Sequence, residues 1–166
     1  EAGNESPRSN AVKIVVDTIA PVQPELNEND TAGTYIIEDD IGVNTGNINN
    51  NDITDDRNPT IVLNISNDYA KVGETVTIYD GETVLTTKEV TAVDIESGYI
   101  SIEVNPSLSP NTSYDIAISL TDLSGNESTK SEETTITISS GAPSNEDTPK
   151  IPEDNDNDGK PDTDVN

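Results

Sequence analysis

The chain has 166 residues, with 33 Asp and Glu against 8 Lys and Arg, a formal net charge of −25, and no His, Cys, Met, Trp or Phe. Without Cys or His there is no thiol or imidazole nucleophile, no imidazole base, no disulfide framework and no ordinary zinc site. So acidic a surface repels phosphate backbones and anionic head groups, which argues against nucleic-acid and membrane partners; it suits cations, and all-oxygen donors favour calcium or magnesium.

Ile (18), Val (13) and Leu (6) make up 37 residues, close to the composition at which a charged chain stays disordered, so a core requires them to be concentrated in strands. No apolar run approaches the roughly 20 residues of a membrane span. With no initiator Met and no signal peptide, the sequence reads as an internal piece of a longer chain.

In chain order, strands are predicted near 21–26, 59–65, 74–79, 82–90, 98–104, 113–121 and 132–139. The apolar period is two: Tyr114, Ile116, Ile118 and Leu120 alternate with Asp115, Ala117, Ser119 and Thr121, as in a half-buried strand. Ile61-Leu63-Ile65, Ile100-Ile102-Val104 and Ile136-Ile138 alternate likewise, and the 20 Thr favour a pleated surface. Asp80-Gly81, Ser97-Gly98, Asn105-Pro106 and Ser109-Pro110 supply turns between them. Seven short strands with no helical period predict an all-β, immunoglobulin-like antiparallel sandwich with an extended acidic C-terminal tail. Tyr114, at the start of the sixth strand, is placed either as a tyrosine corner or as a plain core tyrosine.

Residues 2–21 (AGNESPRSNAVKIVVDTIAP) align without gaps on 124–143 (SGNESTKSEETTITISSGAP). Gly3, Asn4, Glu5, Ser6, Ser9, Ile14, Ala20 and Pro21 recur at a constant offset as Gly125, Asn126, Glu127, Ser128, Ser131, Ile136, Ala142 and Pro143. The repeat divides the chain into the last strand of a preceding domain (1–16), one complete domain (17–140), a linker (141–153) and an acidic tail (154–166). The parent is then a tandem array. Ser139-Ser140-Gly141 replaces Asp17-Thr18-Ile19, and the Pro-, Asn- and Asp-rich tail after it cannot form a core, so the array is expected to stop here.

Two stretches carry the candidate chemistry. Residues 38–56 hold six acids (Glu38, Asp39, Asp40, Asp52, Asp55, Asp56) and no base. With so much Asn and Gly they are expected to form a loop, in which the carboxylates either stay solvated or supply the hard oxygens calcium takes. Asp17 in the linker and the turn Asp122-Leu123-Ser124-Gly125-Asn126 are expected to join that loop at one end of the sandwich, facing the preceding domain. The second stretch, Asp154-Asn155-Asp156-Asn157-Asp158-Gly159-Lys160-Pro161-Asp162, has oxygen side chains at calcium-loop positions 1, 3, 5 and 9 and Gly at 6. It departs from an EF-hand in having Val165 at position 12 and no flanking helix. Its candidate ligands are Asp154, Asp156, Asp158 and Asp162. A glycosidase-type acid pair would need two carboxyls across an aromatic-lined cleft; the adjacent pairs here, without Trp or Phe, point away from an enzyme.

Val16-Asp17-Thr18-Ile19-Ala20-Pro21, Asp39-Asp40-Ile41-Gly42, Thr54-Asp55-Asp56 with Pro59-Thr60, Val76-Thr77-Ile78-Tyr79-Asp80-Gly81 and Leu120-Thr121-Asp122-Leu123-Ser124-Gly125-Asn126 together resemble the bacterial Ig-like repeats of giant surface adhesins and biofilm-associated proteins. Residues 154–162 resemble a thrombospondin type 3 calcium repeat. The first resemblance covers residues 1–139. It implies tandem β-sandwiches with calcium near their junctions, the matching positions being Asp17, Asp39, Asp40, Asp55, Asp56 and Asp122. The expected role is a non-catalytic extracellular spacer of a cell-surface adhesin, with neighbouring repeats of the same chain as partners. The alternatives are an adhesive module that binds a host or surface ligand through its loops, and an accessory domain of a secreted enzyme.

Overall fold

A strand that buries one face needs a second apolar face to meet it, and here alternation supplies two. The computed structural model describes residues 2–27, 29–42 and 45–140. Among them lie β1 (Glu25–Leu26), β2 (Thr34–Asp39), β3 (Gly46–Asn47), β4 (Asp52–Thr54), β5 (Thr60–Asn64), β6 (Thr75–Asp80), β7 (Thr83–Glu89), a short helix α1 (Ala92–Ser97), β8 (Tyr99–Glu103), β9 (Ser113–Thr121) and β10 (Thr134–Ile138). One sheet has the order β1-β2-β5-β8, with β3 added to β2; the other has the order β4-β10-β9-β6-β7.

The core lies between the sheets. Tyr35, Ile37, Ile61, Leu63 and Ile100 from the first meet Val76, Ile78, Ile116, Ile118, Leu120, Ile136 and Ile138 from the second, all with no exposed surface. Each side chain of this size contributes about 1.5–3 kcal/mol on burial, so a sequence with few apolar residues folds by placing them on inward positions. The chain is thus an all-β sandwich of immunoglobulin type, with seven strands of five residues or more. Most pairings are antiparallel, but β1 pairs parallel to β2 and β4 parallel to β10, which makes both sheets mixed.

Three features differ from the strands expected. Residues 21–26 contribute only the two-residue β1, whereas Thr34–Asp39 form a full strand, with Tyr35 and Ile37 buried opposite Leu63 and Ile61. Residues 38–56, expected as loop, contain β3 and β4; the buried Ile48 anchors the crossing between sheets, and β10 satisfies the β4 backbone. The link from β7 to β8 includes α1, started by a capping box between Thr91 and Asp94 and ended by Gly98 at φ 83°. Tyr114 takes the corner role: its hydroxyl accepts a hydrogen bond from the Ser109 backbone N–H at 2.8 Å while its ring packs against the core.

Residues 2–20 form no strand and are exposed throughout, including Val12 (83%), Ile14 (80%) and Val16 (77%).

Candidate metal centre

The acidic side chains collect at two places, fixed by strand direction. Chain entering at residues 17–22 lies beside the β9–β10 connection: Asn126 Nδ2 donates to the Asp17 carbonyl at 3.2 Å, and the Tyr69 hydroxyl to the Val22 carbonyl at 3.1 Å. Thr121 at the end of β9 pairs with Thr75 at the start of β6. This is the proximal end. At the distal end Ser113, which opens β9, pairs with Thr137; β10 finishes at Ile138 beside Thr54, and the Ser139 N–H donates to the Thr54 carbonyl. Asp39 closes β2 here, and Asp55 and Asp56 precede β5. The nine residues of β9, at roughly 3.3 Å each, separate the ends by about 30 Å.

The expectation that Asp17, the 38–56 segment and the Asp122 turn share one end is therefore corrected. The strand β2, absent from the sequence reading, carries the chain the length of the sandwich before Asp39 is reached. Asp17 and Asp122 mark the proximal end; Asp39, Asp40, Asp55 and Asp56 mark the distal one.

At the proximal end Asp122 is occupied by its own turn. Its Oδ1 accepts from the backbone N–H groups of Ser124 and Asn126 at 2.8 Å each, and its Oδ2 from Asn126 Nδ2 at 2.8 Å. These bonds, that of the Asn126 side chain first, hold its carboxyl below the usual range. Asp17 is exposed and accepts from Ile19 N–H. Asn126, which ties the two together, was not singled out as a site residue, although its place in the repeat marked it.

The distal end is different. Asp39 is 6% exposed; its Oδ2 accepts from the Thr54 hydroxyl at 2.6 Å and its Oδ1 from Ile41 N–H at 3.2 Å. Burial raises its carboxyl; these bonds pull it back and the neighbouring Asp55 raises it again. Asp56 has no exposed surface. Its Oδ1 accepts from Asn58 N–H at 2.7 Å, but its Oδ2 is buried with no hydrogen-bond partner. Burial is the main reason its carboxyl is pushed up to about 6; the backbone N–H groups of Asn58 and, more weakly, Asp40 lower it, and the charges of Asp39 and Asp40 raise it. The Asp40 N–H faces the carboxyl without the geometry of a hydrogen bond to Oδ2. Such an atom costs free energy unless something positive meets it.

Local sequence explains the arrangement. Thr54 serves both acids, donating to Asp39 while its hydroxyl oxygen accepts from Asp56 N–H at 2.9 Å. Asn58 fixes the start of β5 by donating to the Val104 carbonyl and accepting from the Ser107 hydroxyl. Gly42, at φ +81°, has the Asp55 carboxylate against its Cα, where any Cβ would collide with it. Thr54 and Asn58 are positioning residues missed by reasoning that looked for carboxylates alone.

Among the described residues no three acidic side chains are already gathered as a metal-ligating group. The donor set nevertheless suits a hard cation: oxygen atoms only, with one buried carboxylate oxygen left over. Asp154, Asp156, Asp158 and Asp162, like the linker 141–153, lie outside the described residues. No helix among the described residues is long and apolar enough to cross a membrane. No protein family, curated protein or solved structure matches the chain.

Proposed function

We propose that this domain is an extracellular spacer of a bacterial surface adhesin, stiffened by calcium where the sandwich meets its neighbours. The observation that carries the reading is the unpartnered, fully buried Oδ2 of Asp56 beside Asp39, Asp40 and Asp55. Asp39, Asp55 and Asp56 are the side chains that would hold the ion, with Asp40 at the exposed rim. A bound Ca²⁺ supplies two positive charges to a site whose carboxylates otherwise repel. Thr54 and Asn58 hold two of these acids in place beforehand, and Gly42 makes room for a third. Because such a site needs the folded ends of β2, β4 and β5 together, binding and folding are coupled.

The internal repeat adds a second support. Ser139, beside Thr54, is the counterpart of Asp17 at the constant offset. In a preceding repeat Asp17 would therefore stand at that repeat's distal carboxylates, and its backbone is also tied to Asn126 of this domain. One ion at such a junction takes ligands from one domain and from the segment fastened to the next, which turns a hinge into a joint.

Thermal unfolding of the full chain in calcium and in calcium-depleted buffer tests the reading. Calcium is expected to raise the melting temperature, and Asp55→Ala with Asp39→Ala to remove the rise. A melting temperature indifferent to calcium would sink the metal role.

A further inference from the structure

We infer that residues 3–16 form a docking element built for one partner: a preceding copy of this same sandwich, in which they fill the place that residues 125–138 fill here. The inference deepens the tandem-array reading given above, and rests on it for where the rest of that copy lies.

The repeated identities fall on residues whose side chains brace the final segment to the sheet. Asn126 closes the Asp122 turn. Glu127 accepts from the Tyr79 hydroxyl at 2.5 Å and the Ser119 hydroxyl at 2.6 Å. The hydroxyls of Ser128 and Ser131, both buried, accept from Leu120 N–H and Ile118 N–H at 3.1 Å, and Ser131 also bonds the Tyr35 hydroxyl across the sandwich. Lys130 lies over the Tyr79 ring, 4.2 Å from its centroid; its counterpart, Arg8, keeps the charge and stacks at least as well. Shared composition has no reason to preserve these braces in register while the residues between them change.

The strand itself maps by face. β10 buries Thr134, Ile136 and Ile138 and leaves Thr135 and Thr137 half-covered. At the same offset the inward positions become Val12, Ile14 and Val16, and the outward ones Lys13 and Val15. Every inward residue is apolar and the one charge points out, as period two demands. This accounts for an apolar segment lying exposed in the present chain: its slot, between strands equivalent to β9 and β4, belongs to another copy. The copy must also carry counterparts of Tyr79 and Ser119 to meet Glu5 and Arg8, and of Tyr35 to meet Ser9.

The test is a graft within the full chain. Residues 124–138 are replaced by the sequence of residues 2–16, and in a control by that of residues 1–15, which sets Lys13 at the buried position of Ile136. Melting temperatures are read by circular dichroism in calcium-depleted buffer, so the result is independent of the metal reading. The expected outcome is that the first graft unfolds cooperatively within about 5 °C of the parent and the shifted one has no transition. An unfolded first graft, or two grafts of equal stability, overturns the inference. So does a dimer of the parent chain that deletion of residues 2–16 dissolves, since a second molecule would then be the occupant.

Discussion

Asp56→Asn separates the charge at the distal end from the shape that holds it. The amide keeps an Oδ1 to accept from Asn58 N–H, and it replaces the unpartnered Oδ2 by a donor facing the charges of Asp39 and Asp40. In the parent, the Asp56 carboxyl rises from 3.8 to about 6 on folding. At 1.36 kcal/mol per unit this costs the native state about 3 kcal/mol above that pH, or about 1.5 kcal/mol if solvent screens half of it. The sign follows from proton binding. Between pH 6 and 3.8 the folded chain binds a proton that the unfolded chain does not, so stability rises as pH falls through that window and the penalty is complete only above it. In calcium-depleted buffer at pH 7, Asp56→Asn is therefore expected to be more stable than the parent by about 1.5–3 kcal/mol, with the gap shrinking below about 1 kcal/mol at pH 4. In saturating calcium the order is expected to reverse, because the proposed site would give the parent binding energy that the amide forgoes. Urea unfolding followed by circular dichroism, from pH 4 to 8 with and without calcium, measures all three. A variant less stable than the parent without calcium, with the same pH profile and the same calcium response, would refute the argument.

Ser139→Asp restores the acid found at the repeat position of Asp17. It should lower stability without calcium by about 1 kcal/mol through repulsion from the distal carboxylates and raise calcium affinity about tenfold, as read by calorimetric titration; an unchanged affinity would place residue 139 outside the site. Gly42→Ala removes no ligand, yet its Cβ collides with the Asp55 carboxylate at a positive φ. A loss of about 1–2 kcal/mol together with weaker calcium binding is expected, and a loss of stability alone would separate Asp55 from the site. Tyr114→Phe deletes the bond from Ser109 N–H; because Ser109 is exposed, water can replace the partner, and denaturant unfolding should register about 1 kcal/mol or less.

Sheet periodicity was legible because burial in a sandwich alternates: β5, β7, β8, β9 and β10 lie inside the spans expected from it, and β6 runs one residue past its span, to Asp80. The β2 strand was not, although Tyr35, Ile36 and Ile37 are good strand formers; it runs directly into the acids of 38–56, and the polar run masked it. β4 had no local signal at all, since its backbone is satisfied by a parallel partner more than eighty residues away. The capping box at Thr91 and Asp94 was present in the sequence, but six residues are too few to show a helical period. Spacing alone grouped Asp39, Asp40, Asp55 and Asp56, and the fold keeps them within electrostatic reach of one another. What spacing cannot give is direction along the sandwich, and one unrecognised strand was enough to place the acids of 38–56 at the end that holds Asp17 and Asp122. The net charge of −25 likewise named a class of ligand and no location.

That placement bears on how such a domain would serve in the spacer role we propose. A linear array needs chain to arrive at one end of each sandwich and leave at the other, and here it arrives at Asp17 beside the Asn126 turn and leaves at Ser139 beside Thr54. The ends then have different tasks. The proximal turn is satisfied by its own hydrogen bonds, with both Asp122 oxygens occupied, so it gives a fixed anchor whatever the ionic conditions. The distal cluster carries the buried, unpartnered oxygen, so under the proposed calcium role its rigidity would depend on what is bound. If both ends were metal-dependent, loss of calcium would loosen each domain twice; if neither were, the array would be stiff before export as well as after it. On that proposal, with one anchored end and one conditional end per domain, each junction would answer to the ion once. Stiffness of such an array would then scale with the number of occupied distal clusters, and unfolding of the individual sandwiches need not accompany its loss.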